Sequence, residues 1–117
     1  MTSKLPRYRL NIGHRLHRNT GLYIEEGLDQ GNFYELKSLD MSIGRNKKSD
    51  IYLEDTYVSR SHATIVYLGN GIYALRDEDS ANGTFLNGKK LKSYQLYVLK
   101  NGDRIQISET IFVFMKR

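Results

Sequence analysis

The sequence contains no cysteine. That excludes a disulfide framework and a thiolate metal site, and it points to a reducing, intracellular compartment. No apolar run approaches the length needed to span a bilayer, and the N-terminus lacks the apolar stretch of a secretion signal, so no membrane insertion and a cytoplasmic location are expected. The glycine-rich nucleotide loop, the paired-histidine metal motif and the nucleophile elbow are all missing. The one handle for catalysis is the closeness of Ser59 to His62, and no acid is placed by sequence to orient that histidine as a triad requires. A binding protein, with neither metal nor cofactor, is therefore expected in place of an enzyme.

Acidic residues are missing from one region in particular. Residues 1–20 carry Lys4, Arg7, Arg9, Arg15 and Arg18 with no Asp or Glu, whereas the other 13 Lys/Arg share residues 21–117 with all 13 acids. The net charge of +5 thus resides in the leader. Such a segment is expected to be a flexible basic arm ahead of a single domain over residues 21–117, able to steer the chain to nucleic acid or another acidic surface, or simply to be solvated. The domain itself shows no basic aromatic face, so nucleic acid is not the expected ligand.

What the sequence does contain is a succession of short β-forming runs. Helical periodicity is absent, while Gly21–Glu26, Phe33–Lys37, Met41–Gly44, Ile51–Leu53, Ala63–Leu68, Ile72–Arg76, Phe85–Leu86, Lys89–Leu91, Gln95–Leu99, Arg104–Ile107 and Thr110–Met115 read as strands. Asn70-Gly71 between two such runs is a strong signal for a tight hairpin, and Asn-Gly recurs at Asn82, Asn87 and Asn101. Turn chemistry at this spacing implies an all-β sandwich of two twisted, mainly antiparallel sheets with about eleven strands. Thr110–Phe114 is apolar enough to lie between the sheets.

Three polar clusters interrupt these runs where strands end: Gly44-Arg45, Ser59-Arg60-Ser61-His62 and Ser80-Ala81-Asn82-Gly83-Thr84. If the strands between them fold back, the loops meet at one end of a sheet and present a guanidinium, hydroxyls, an amide and backbone N–H groups together. Such a set suits a phosphoryl group.

The ordered set Ser42-Ile43-Gly44-Arg45, Ser59-Arg60-Ser61-His62, Asn82-Gly83-Thr84 and Asn87-Gly88, with Asp50-Ile51 and Gly102-Asp103, resembles the signature of forkhead-associated (FHA) domains. The resemblance covers about residues 21–116. It implies an eleven-stranded sandwich whose loops at one end bind phosphothreonine peptides, placing the chain downstream of a Ser/Thr kinase. By the same resemblance, Arg45 binds the phosphate, Ser59 contacts it, and Arg60 offers its backbone N–H. Asn82 bonds the peptide backbone beside the phosphothreonine, and His62 holds the loop. Gly83 permits the loop conformation, Gly44 precedes the phosphate-binding arginine, Asn87 braces a turn, and Lys47 adds positive field. Many members carry Thr or Ser where this chain has Ala81, whose backbone N–H remains as a donor.

Other readings of the same residues stand beside these. The lesser reading of Arg45 is a surface ion pair with Asp50 or Asp55, and the whole domain can be read as a degenerate FHA scaffold that binds proteins without phosphate. The leader supplies one more candidate ligand. Thr2 is separated from Gly21 by 18 residues, a span of at most about 60 Å when extended, so a phosphorylated Thr2 is a candidate intramolecular occupant of the site.

Overall fold

The computed structural model describes residues 19–117. The basic leader and Thr2 lie outside the described residues. Eleven strands and no helix make up the described chain: β1 Gly21–Glu26, β2 Phe33–Glu35, β3 Met41–Gly44, β4 Ile51–Tyr52, β5 Ala63–Gly69, β6 Ile72–Asp77, β7 Phe85–Leu86, β8 Lys89–Lys90, β9 Tyr97–Val98, β10 Arg104–Ile107 and β11 Thr110–Met115. They form a six-stranded sheet in the order β2-β1-β11-β10-β7-β8 and a five-stranded sheet in the order β4-β3-β5-β6-β9. Every strand pairing is antiparallel except the parallel pair of β3 and β4. Among the described residues, no helix is long and apolar enough to cross a membrane.

Alternation along the strands creates the core. In the first sheet, Leu22 pairs with Phe114, and Ile24 and Ile105 both pair with Phe112. In the second, Ile43 lies between Ile51 and Ala63, and Ile65 pairs with Leu75. All of these side chains are buried and belong to one cluster. Removing each larger one from water stabilises the fold by roughly 1.5–3 kcal/mol. β11 lies within the first sheet between β1 and β10, so only Thr110, Phe112 and Phe114 are buried while Ile111, Val113 and Met115 stay half-buried. The apolar run faces the second sheet along one side only.

The turns follow the Asn-Gly signals unevenly. Asn70 (φ 52°) and Asn87 (φ 50°) adopt the left-handed conformation together with the glycines that follow them, as a two-residue hairpin turn demands. Asn82 and Asn101 do not; only Gly83 and Gly102 after them have positive φ. Strand ends differ from the sequence reading by one or two residues. β2 stops at Glu35: one further bond, from the Leu36 N–H to the Thr20 carbonyl, follows it, and the chain then bends at Ser38 (φ 60°). β9 starts at Tyr97 because Tyr94 (φ 67°) and a Gln95-to-Lys92 backbone bond occupy the residues before it.

Candidate functional site

The β3–β4 loop (45–50), the β4–β5 connection (53–62) and the β6–β7 loop (78–84) meet at one end of the sandwich. Backbone bonds tie them together. Arg45 N–H donates to the Ser59 carbonyl at 2.9 Å, His62 N–H to the Ile43 carbonyl at 3.0 Å, and Glu78 N–H to the His62 carbonyl at 2.9 Å. Gly44 is what allows the first two loops to come so close, since a Cβ there would stand 2.0 Å from the Arg60 carbonyl oxygen. Any side chain at this position must push the Ser59–Arg60 backbone away.

Beneath the loops lies a layer of buried polar groups. Asp77, 3% exposed, accepts the Ser80 and Thr84 hydroxyls at 2.6 Å each through Oδ1, and the Ser80 N–H at 3.1 Å through Oδ2. Ser80 Oγ in turn accepts the Gly83 N–H at 3.0 Å. The β6–β7 loop is thus wound around one carboxylate. Burial opposes the Asp77 charge, but the bonds from Ser80 and Thr84 and the nearby His62 outweigh it, and the pKa lies below the ordinary value.

His62 is fully buried, and both ring nitrogens are committed to backbone. Nδ1 accepts the Ser59 N–H at 3.0 Å, and Nε2 donates to the Gly83 carbonyl at 3.0 Å, which fixes the neutral tautomer with its proton on Nε2. The ring therefore clamps the β4–β5 connection to the β6–β7 loop and has no nitrogen left to serve Ser59 as a base. Burial holds its pKa below the usual histidine value, against the opposing pull of the Gly83 carbonyl, Asp77 and Asp55. A second proton, on Nδ1, would point at the Ser59 N–H.

The rim above this layer, exposed at Arg45, Ala81 and Asn82 and half-buried at Ser59, is only partly bonded. Arg45 Nε donates to the Val58 carbonyl at 2.9 Å, leaving the two terminal guanidinium nitrogens without a protein acceptor among the described residues. The ion pair with Asp50 or Asp55 does not form. Asp50 instead takes the Ser42 N–H and hydroxyl, and Asp55 takes the Tyr57 N–H. Ser59 Oγ accepts the Ala81 N–H at 2.9 Å, which leaves the Ser59 hydroxyl proton to be donated outward. The Ala81 N–H expected to remain as a ligand donor is thus already engaged. Asn82 Nδ2 donates to the Tyr57 carbonyl at 2.8 Å, with Oδ1 and the second amide proton still available.

Arg45, Ser59, Ala81 and Asn82 are therefore linked into one group across three loops. The Arg60 N–H has no acceptor among the described residues and sits next to Ser59 in the chain, with its side chain exposed. Lys47 is exposed in the β3–β4 loop and makes no bond to the group. Asn87 does not join it either. At the other end of β7 from Asn82, it donates to Asp103 Oδ1 at 3.0 Å and accepts the Arg104 N–H at 2.9 Å. Sequence reasoning missed Asp77, whose only advance signal is its position at the end of β6, three residues before Ser80 and seven before Thr84. No group of His, Cys, Asp and Glu among the described residues could hold a metal ion.

An all-β sandwich with a cationic donor group on the loops at one end defines a class of anion-reading binding domain. The chain belongs to the FHA family: the family model described as FHA domain matches residues 41–108. It is similar to the glycogen accumulation regulator GarA of Mycolicibacterium smegmatis, 37% identical over 94 residues that cover 80% of this chain and 57% of that protein. It is also 37% identical to the oxoglutarate dehydrogenase inhibitor of Corynebacterium jeikeium, over 80% of this chain and 62% of that one. The chain thus spans less than two thirds of the length of these curated relatives. Among solved structures, one described as a structural and functional analysis of phosphothreonine-dependent FHA domain interactions superposes with a TM-score of 0.73 at 30% identity, covering 84% of this chain and 96% of that one. The FhaA FHA domain, complexed with the intracellular domain of Rv3910, superposes with a TM-score of 0.71 at 30% identity, covering 82% and 99%.

Proposed function

We propose that residues 21–117 form a phosphothreonine-dependent protein-binding module, with residues 1–20 a separate basic arm, and that a Ser/Thr kinase generates its ligand inside the cell. The observation that carries this reading is the exposed Arg45 guanidinium, anchored through Nε to the Val58 carbonyl, with its two terminal nitrogens without an acceptor among the described residues and its backbone bonded to that of Ser59. A planar fork held in place suits a dianionic phosphoryl group, whose oxygens can accept two parallel N–H bonds. Asn82, fixed by one amide proton to Tyr57, keeps a donor and an acceptor for an extended peptide backbone. Arg60 adds a backbone N–H, Lys47 adds field, and Gly44, His62 and Gly83 hold the loops. Ala81 serves the phosphate indirectly, through its bond to Ser59.

A protein ligand is favoured over a small molecule by the company the chain keeps: its relatives are named as a regulator and as an enzyme inhibitor. Noncatalytic action agrees with a histidine whose two nitrogens are already bonded. The test is calorimetric titration of one peptide with and without phosphate on its threonine. The phosphorylated form alone should bind, and affinity should weaken below about pH 6, where the second phosphate ionisation is lost. Equal affinity for both forms would favour the phosphate-independent scaffold.

A further inference from the structure

Lys90 stands where nothing in the phosphate-binding group requires a cation. It pairs across the sheet edge with Phe85, so both side chains lie on the outer face of the first sheet. Its stem then runs over the β6–β7 loop. A Cβ built on Gly83 would lie 2.8 Å from Lys90 Cε, 3.5 Å from its Cδ and 3.4 Å from Phe85 Cε1. The end of the aliphatic chain thus lies against Gly83, with the Phe85 ring also close to that glycine, and the ammonium is one bond beyond Cε on an exposed side chain. Gly83 has φ +94°, which keeps a side chain away from this seat.

The neighbouring acids are engaged elsewhere. Asp77 is buried with Ser80 and Thr84, Glu78 takes Arg76 and Thr64, and Asp79 accepts the Ser93 hydroxyl. No acid among the described residues pairs with Lys90. Along the loop, Ala81 touches Ser59, Asn82 follows, and Gly83 carries Lys90. A peptide whose phosphate sits at Arg45 and Ser59 and whose backbone lies on Asn82, next to Gly83, would pass close to a second positive charge.

We propose that Lys90 reads a second anionic group of the same peptide, a carboxylate or a second phosphoryl group a few residues from the phosphothreonine. The inference rests on the phosphothreonine reading of the site. It makes Lys90 a specificity residue that separates acidic from neutral flanking sequences.

The test is calorimetric titration of the full chain with three kinds of phosphothreonine peptide. One has neutral flanks, one has a glutamate walked a position at a time on either side, and one has a phosphoserine at the preferred position. The parent should prefer the acid at one register by about two- to five-fold, the range of an exposed ion pair, and should prefer the second phosphate more strongly. Lys90→Ala should remove this preference and Lys90→Glu should reverse it. Lys100→Glu, the same charge change beside Asp103 and away from the loops, should leave it in place. A parent with no preferred register would overturn the inference, as would a preference that survives Lys90→Ala or is lost equally in Lys100→Glu. A parent that binds none of the phosphopeptides, the neutral one included, refutes the reading of the site itself.

Discussion

His62 and Asp77 are buried at the loop end with both ring nitrogens and both carboxylate oxygens bonded to the protein. Above them, the side chains of Arg45, Ser59 and Asn82 each make one bond to the protein and keep polar atoms in reserve. The difference separates two jobs that the sequence writes in similar residue types. Saturated, buried polar groups fix the shapes of loops, because leaving any of them unpaired is expensive. Half-satisfied ones are, in the function proposed above, those that recognise, because their remaining donors have no acceptor among the described residues and a ligand has only water to displace.

The sharpest way to break this division is at its base. Asp77→Ala should be the most damaging change, because it strips the acceptor from the Ser80 and Thr84 hydroxyls and leaves Thr84 buried without a partner. A loss of about 3 kcal/mol is expected, which for a domain of this size lowers the melting midpoint by roughly 12 °C or more. Thermal denaturation reads it directly. A melt like the parent's would show that the loop does not depend on its carboxylate.

His62→Ala comes next. Removing the ring leaves the Ser59 N–H and the Gly83 carbonyl unbonded, at a cost of about 2 kcal/mol, or roughly 8 °C or more in melting midpoint. Phosphopeptide affinity should fall with it as Ser59 and Asn82 drift apart. A variant that melts like the parent yet fails to bind would move His62 from the holding layer to the binding rim.

A milder perturbation uses protons in place of mutations. Because the His62 pKa is lowered on folding from 6.5, the unfolded chain takes up the proton first. Stability should therefore be lost as pH falls below about 6.5, down to the lowered folded value, and should be insensitive to this group above 6.5. Asp77 acts in a separate, more acidic window: its stabilisation is complete above 3.8 and is lost as pH falls through its depressed pKa. Melts of the parent and of His62→Gln across both windows check the assignment, since the glutamine variant should lose the first decline and keep the second.

The smallest effect on the fold is expected at the rim. Asn82→Ala gives up the single bond to the Tyr57 carbonyl, about 0.5–1 kcal/mol at an exposed site, while peptide affinity falls and inorganic phosphate binding changes little. Competition of peptide against free phosphate distinguishes the two. An equal loss for both ligands would place Asn82 on the phosphate.

Much of the molecule is legible in sequence because it depends on local rules. Asn-Gly pairs marked the Asn70 and Asn87 turns, and the short β-forming runs located all eleven strands to within a residue or two. The spacing of Arg45, Ser59 and Asn82 located the loops that carry the rim. What stayed hidden depends on burial and on contacts between residues far apart in the chain. Sequence spacing does not say that Asp77 is buried and collects the hydroxyls three and seven residues on, or that the Ala81 N–H is taken up by Ser59 from 22 residues away. Asn87 shows the converse: its turn was readable, yet only the topology reveals that it braces Arg104 at the far end of β7. Lys90 reads as an edge-strand charge until the register with Phe85 and the bare backbone of Gly83 place its stem.

The central claim, that exposed residues bind while buried ones hold, is tested most directly at Arg45. Arg45→Ala and Arg45→Lys should each be titrated calorimetrically with the phosphothreonine peptide and melted in parallel. Both variants should lose affinity by about 30-fold or more, the alanine because the charge is gone and the lysine because a single ammonium cannot reproduce the fork, while each melts within a few degrees of the parent. Retained binding in either variant, or a melting loss as large as that of Asp77→Ala, would contradict the account.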